Sequence, residues 1–268
     1  MQKLTRKPTI KTRNKTKLEK GYILYRGESV LNGAPVVAIL TTKSSNIKTG
    51  DMAQIWILSD QVSPIEASKQ KLDSSVCGNC PLRQNLGGSC YVTLFQGPNQ
   101  VYKSYKKGLY KDISKTDTLP NELKALLSYK AVRFGAYGDP AAIPFEVWQK
   151  VLNNSKAGYT AYTHQVKHKN FDNRLLDFCM VSTETIKNTE KAQKLGRTFR
   201  VVPEGGHILD NEIVCPNYDQ GVSCVDCLKC DGNLSDNKQN IVILSHGIRA
   251  KKHDKKYLKS NLIKTVNI

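Results

Sequence analysis

Seven of the chain's eight cysteines fall in two tight groups: Cys77, Cys80 and Cys90 in CGNCPLRQNLGGSC, and Cys215, Cys224, Cys227 and Cys230 in CPNYDQGVSCVDCLKC. Within the second group, C-x2-C-x2-C lets three thiolates of one loop converge on a cubane, as in bacterial ferredoxin loops. Zinc more often takes two C-x2-C knuckles from separate hairpins. A 4Fe-4S cluster is therefore the expected occupant and zinc the alternative, with Cys215 as a fourth ligand. The first group offers three ligands and no obvious fourth. It reads as a second cluster with one iron open to substrate, as a structural zinc completed by a histidine, or as half of a single centre pooled between both groups. Its spacing departs from the C-x3-C-x2-C of radical S-adenosylmethionine enzymes. Cys179 stands alone in the apolar run 175–181 and reads as a small buried hydrophobe.

Ligand groups of this kind need rigid elements to carry them, and the sequence alternates short β-branched runs with helical stretches. Strands are expected at Val36–Thr41, Met52–Leu58, Ala131–Ala136, Tyr159–Thr163, Phe178–Thr183, Thr198–Val202, Glu212–Cys215 and Asn240–Leu244. Helices are expected at Pro98–Lys107, Glu122–Tyr129, after Pro144, and at Thr185–Leu195. Crossover helices between buried strands imply a parallel sheet. The repeat length favours a TIM-like (β/α) barrel, full or partial, with the cysteine-rich loops at the C-terminal ends of the strands. No glycine-rich loop of Rossmann or Walker spacing follows a strand, which argues against nucleotide-dependent dehydrogenases and P-loop ATPases.

Barrel enzymes build their sites just after their strands, and polar residues recur there in this chain. RFGAYGDP supplies Arg133, Gly135, Gly138 and Asp139; AYTHQ supplies Tyr162, Thr163 and His164; VSTET supplies Glu184; and LSHG supplies His246. His164, Asp139 and His246 are the candidate catalytic groups, the histidines moving protons. Arg133, Gly135, Gly138, Tyr162, Thr163 and Glu184 are the candidate substrate or cofactor contacts. Each has a plainer reading as a turn cap, a helix start or a satisfied core histidine. Recurrence at one end of successive strands favours a shared polar pocket.

The chain has 268 residues and a net charge of +18. Residues 1–20 and 249–268 carry thirteen of those eighteen charges, which argues against a dedicated nucleic-acid-binding surface on the folded body. The expected organisation is a basic, disordered arm at 1–20, one barrel domain at 21–248 and a basic tail at 249–268, with weak polyanion binding by the tails. No apolar run has the length of a membrane span and the N-terminus lacks the apolar centre of a signal peptide, so the expected compartment is the cytoplasm. Thiols stay reduced there, which favours metal ligation over disulfides.

The segments SSNIKTGDMAQIWIL, SSVCGNCPLR with GSCYV, QGPNQVYKSYKKGLY, RFGAYGDPAAIP, AYTHQ, CMVSTET, RTFRVV, EIVCP, SCVDCLKC and ILSHG together resemble a family of cysteine-rich bacteriophage and bacterial proteins. That family is distantly similar to radical S-adenosylmethionine barrels. The resemblance spans about residues 40–247. It implies a phage origin, hence a host cytoplasm, together with a barrel and an iron-sulfur cluster. The positions it carries over are the seven loop cysteines, Arg133, Gly138, Asp139, Tyr162, Thr163, His164 and His246. Two functions follow. One is an enzyme acting on a small, sulfur-containing molecule or on S-adenosylmethionine. The other is a non-catalytic zinc or iron-sulfur protein that binds nucleic acid or a host protein.

Overall fold

The computed structural model describes residues 18–262, apart from 235 and 237; the basic arm through residue 17 lies outside it. Eleven strands are described: β1 (Gly21–Glu28), β2 (Pro35–Thr41), β3 (Ala53–Ser59), β4 (Lys111–Asp112), β5 (Val132–Tyr137), β6 (Tyr159–Thr160), β7 (Tyr162–Thr163), β8 (Met180–Thr183), β9 (Thr198–Val202), β10 (Glu212–Val214) and β11 (Asn240–Leu244). Nine α-helices accompany them among the described residues: α1 (Pro64–Lys69), α2 (Ser74–Cys77), α3 (Gly97–Lys106), α4 (Asn121–Tyr129), α5 (Phe145–Leu152), α6 (Ile186–Ala192), α7 (Pro216–Asp219), α8 (Cys224–Cys227) and α9 (Ala250–Leu262).

β-Branched and aromatic residues favour the pleated conformation, and Val36 to Leu40 of β2 are all fully buried, as a strand covered on both faces requires. β1, β2 and β3 form an antiparallel meander in which Ala38 faces Ile57 and Ile39 faces Trp56. From β3 onward neighbouring strands are parallel: β3 pairs β5 and β5 pairs β6, while in the second sheet β7 pairs β8 and β8 pairs β9. Only Ala161 separates β6 from β7, so one passage of the chain serves both sheets. The orders are β4-β1-β2-β3-β5-β6 and β10-β11-β9-β8-β7.

The α/β class with parallel sheets is thus present, and no closed barrel is found among the described residues. One physical reason lies at β3, where a closing strand would have to dock. That edge is already paired antiparallel with β2, which leaves β10 at the far edge without a partner strand. The last two strands also exchange places, since β11 inserts between β9 and β10.

Beneath β5 the core is aromatic. Phe134 meets Trp148, Tyr159 and Phe178 edge-on at 5.1–6.0 Å, and the Trp148 indole donates to the Pro140 carbonyl. Cys179 is fully buried in this core, as a small hydrophobe.

The C-terminal segment differs from a simple tail. Residues through 262 form helix α9, docked by buried Tyr257 against Val202 and Val242. Its phenol sits on Arg200, a strand residue that is fully buried with Glu212. No described helix is long and apolar enough to cross a membrane.

Candidate functional site

The first cysteine group is built in the long segment that follows β3. Ser63 and Glu66 form a reciprocal capping box that starts α1, and α2 then runs directly into Cys77. Buried Arg83 ties the loop together by donating to the Asp73 carboxylate and to the carbonyls of Gly78 and Lys71. The Cys80 amide donates to the Cys77 carbonyl and the Cys90 amide to the Leu82 carbonyl, which folds the third cysteine back toward the first two. Burial raises the Cys77 pKa well above its ordinary value, and Cys80, Cys90, Asp73 and Asp139 push it the same way. Burial also raises Cys90, with Cys80 adding to the effect. Both causes disfavour thiolates, and a bound cation would relieve both.

This loop lies at the C-terminal ends of β3, β5 and β7. The Asp139 amide donates to the Val76 carbonyl, and Gln165 clamps the loop through bonds to the Cys77 carbonyl and the Asn79 amide. His164 reaches the first group directly. It lies close enough to Cys80 to feel its charge, and its Nε2 stands 2.9 Å from the Glu184 carboxylate. Burial would depress its pKa, but Cys80 and Glu184 overcome that and raise it well above the usual imidazole range.

Asp139 orients this histidine. One carboxylate oxygen accepts from the Thr163 hydroxyl and the Ala141 amide, the other from the His164 amide. Burial raises its pKa against those bonds. Through these bonds the carboxylate ties Thr163 and the His164 backbone to the turn after β5.

Gly135 and Gly138 serve the same turn. Both have positive φ, and a Cβ on Gly138 would meet Ile57 at 2.7 Å while one on Gly135 would meet the Gly138 carbonyl at 2.7 Å. The chain's own atoms fill the space at these two Cα positions, so the turn requires glycine at both.

The second group starts after β10 with Cys215, but its later cysteines do not lie at the C-terminal ends of the strands. The Cys224 and Val225 amides donate to the Lys48 and Thr49 carbonyls just before β3, and the Cys230 carbonyl accepts from the Ala161 amide. Leu228 packs on Gly158, just before β6. Long-range backbone bonds therefore fold this loop back to the opposite ends of β3 and β6, correcting the expected placement. The Cys215 carbonyl accepts from the Tyr218 and Asp219 amides, and burial comes first in raising the pKa of its thiol. Burial and the other three cysteines of the group push Cys230 up to about 12, while a bond from the Tyr162 hydroxyl works the other way.

The cysteines that act on Cys77 and Cys90 belong to the first group, and those that act on Cys215, Cys224 and Cys230 to the second. One chain of contacts joins the two. Tyr91, next to Cys90, accepts a 2.8 Å bond from Arg133, whose guanidinium lies 5.6 Å from the Tyr162 ring, and Tyr162 reaches Cys230. Burial opposes the Arg133 charge, yet its neighbours Tyr91, Tyr162, Cys224 and Cys230 raise its pKa. His246 is placed differently, in the wall of a cavity, with Nδ1 on the Leu244 carbonyl and its ring 5.7 Å from Tyr91.

Tyr91 and Gln165 carry site contacts that sequence reasoning did not single out. Their adjacency to Cys90 and His164 was the only available signal. Among the described residues, no group of three or more His, Cys, Asp and Glu side chains is set at the spacing of a single bound ion. Both groups nevertheless offer partly or fully buried, unbridged thiols, the donor type that an iron-sulfur centre or a zinc ion takes. No protein-family model, curated protein or solved structure matches the chain.

Proposed function

We propose that this chain is a phage-type iron-sulfur enzyme with a three-cysteine centre at Cys77, Cys80 and Cys90 and a four-cysteine centre at Cys215, Cys224, Cys227 and Cys230. We read its two sheets as an opened relative of the (β/α) barrel, with the first centre at the mouth. The observation that carries the proposal is the gathering of Cys77, Cys80 and Cys90 beside His164 and Glu184 at the C-terminal ends of β3, β5 and β7.

A cluster held by three cysteines supplies, when bound, an iron with Lewis-acid or one-electron chemistry for a small sulfur-containing molecule or S-adenosylmethionine. The protein's own groups do the rest. Glu184 pairs with the His164 ring, Asp139 holds its amide while Thr163 braces that carboxylate, and His164 can hold or deliver a proton beside Cys80. Arg83 and Gln165 keep the cysteine loop in register with β7.

A second reading draws on one contact. The closeness of His164 to Cys80 would let its imidazole complete a Cys3His zinc site. Anaerobic purification with iron, zinc and acid-labile sulfide counted per chain separates the two. Expected is about eight irons with matching sulfide, about four per centre. Zinc without sulfide would overturn the iron-sulfur reading and make the loops structural.

A further inference from the structure

A cavity of about 820 Å3 lies along one face shared by both sheets. Gln54 and Trp56 of β3, Arg133 of β5, Tyr162 of β7 and Phe199 and Val201 of β9 project into it, and the 43–49 loop closes one side. We infer that this cavity binds a ligand of the nucleotide class, a flat ring carrying a phosphate. If the iron-sulfur reading holds, that ligand sits beside the four-cysteine centre, since Cys215 and Cys224 also line the cavity.

Three features argue for this chemistry. The volume suits a molecule of nucleotide size. The charges are of one sign: Lys43, Lys48 and Arg133 line the cavity, and no Asp or Glu does so among the described residues. Arg133 uses its guanidinium only on a phenol and a ring face among the described contacts, which leaves donors of its planar fork for an anion. The cations also approach from two walls, two from the 43–49 loop and one from β5. A phosphate, with about two negative charges at neutral pH, answers that arrangement better than a carboxylate.

The remaining walls are aromatic. Phe199 and Tyr162 stand 4.6 Å apart, and Trp56 is fixed by its indole bond to the Thr41 hydroxyl and by contact with Gly97. Ring faces of this kind hold a base by stacking and tolerate any base. Cationic surplus matters here because thiolates at Cys215 and Cys224 would claim part of it.

Tryptophan fluorescence tests this directly, because Trp56 lines the cavity while Trp148, the other of the two tryptophans, is fully buried in the core. Adenosine 5′-monophosphate, uridine 5′-monophosphate, adenosine and inorganic phosphate are titrated into the full chain, with iron counted in the same preparations. Expected is saturable quenching by both nucleotides, lost in Trp56→Phe, with adenosine at least about 10-fold weaker and inorganic phosphate displacing the nucleotide without quenching.

The double variant Lys43→Gln/Lys48→Gln alters only loop side chains. It should weaken nucleotide binding by about 10-fold or more while its iron content stays that of the parent. No quenching by either nucleotide, or equal affinity for adenosine and its monophosphate, would overturn the inference. Nucleotide binding in a chain without iron would instead uphold it and defeat the iron-sulfur reading.

Discussion

Cys80→Ala protein, purified without oxygen, should contain about half the iron of the parent chain, and Cys227→Ala should do the same. The expectation rests on the separation of the two groups. The cysteines that act on Cys77 and Cys90 come from their own loop, and those that act on Cys215, Cys224 and Cys230 come from theirs. Each group sits on a different part of the sheets, the first clamped by Gln165 and the second bonded to Lys48 and Thr49. Combining the two substitutions should remove the iron altogether. If either single substitution emptied the protein, the groups would be pooling ligands around one centre, and the two-centre reading would fail.

The largest expected effect on stability lies away from the cysteines, at Glu212. Its carboxylate pairs with Arg200 and accepts the Leu209 amide, while Arg200 also contacts the Tyr257 phenol and the His207 carbonyl. Both side chains of the ion pair are fully buried. Glu212→Ala leaves a guanidinium in the interior without its counter-charge, and breaking such a pair costs about 3 to 5 kcal/mol. The denaturant midpoint should fall accordingly. Helix α9 should loosen with it, because Tyr257 docks on the same arginine. A variant that unfolded at the parent's midpoint would show that the pair contributes little. Glu212→Gln keeps an acceptor and should fall between the two.

Much of the secondary structure is legible in the sequence because β-branched runs are short and bounded. Thr198–Val202 and Asn240–Leu244 are strands over the expected residues, and Cys179 is buried as expected. What resists reading is which strand edge meets which. Strand β1 begins right after the basic arm, and its buried run Tyr22 to Leu24 is too short to announce a strand that pairs along all of β2. That pairing is what occupies β3 and leaves the sheets open. Edge pairing depends on long-range register, and local pattern does not encode it.

Helix α9 was obscured in the same way. AKKHDKKYLKSNL is dominated by charge, and only the fold reveals that Tyr257 has a buried arginine to meet.

The candidate site divides similarly. Ligand types and spacing expose both cysteine groups, and the strand-end rule brings His164, Glu184 and Asp139 to the first of them. The rule does not foresee that the loop of Cys224 to Cys230 folds back to the entry of β3, since that rests on two backbone bonds between segments far apart in sequence. Lys48, Trp56 and Tyr91 are common residue types with no spacing signature, and only the folded chain sets them around one cavity. Gly135 and Gly138 show the converse. Their conspicuous pattern serves the turn that carries Asp139.

The most direct test of the three-cysteine centre is electron paramagnetic resonance of the reduced, anaerobic protein, titrated with S-adenosylmethionine and separately with a small thiol. An iron without a fourth protein ligand should take up one of these, so the spectrum of the parent and of Cys227→Ala should shift while that of Cys80→Ala does not. A spectrum unmoved by both additions would mean that the protein fills every coordination position, with His164 the nearest candidate, and would contradict a substrate-binding iron at this site.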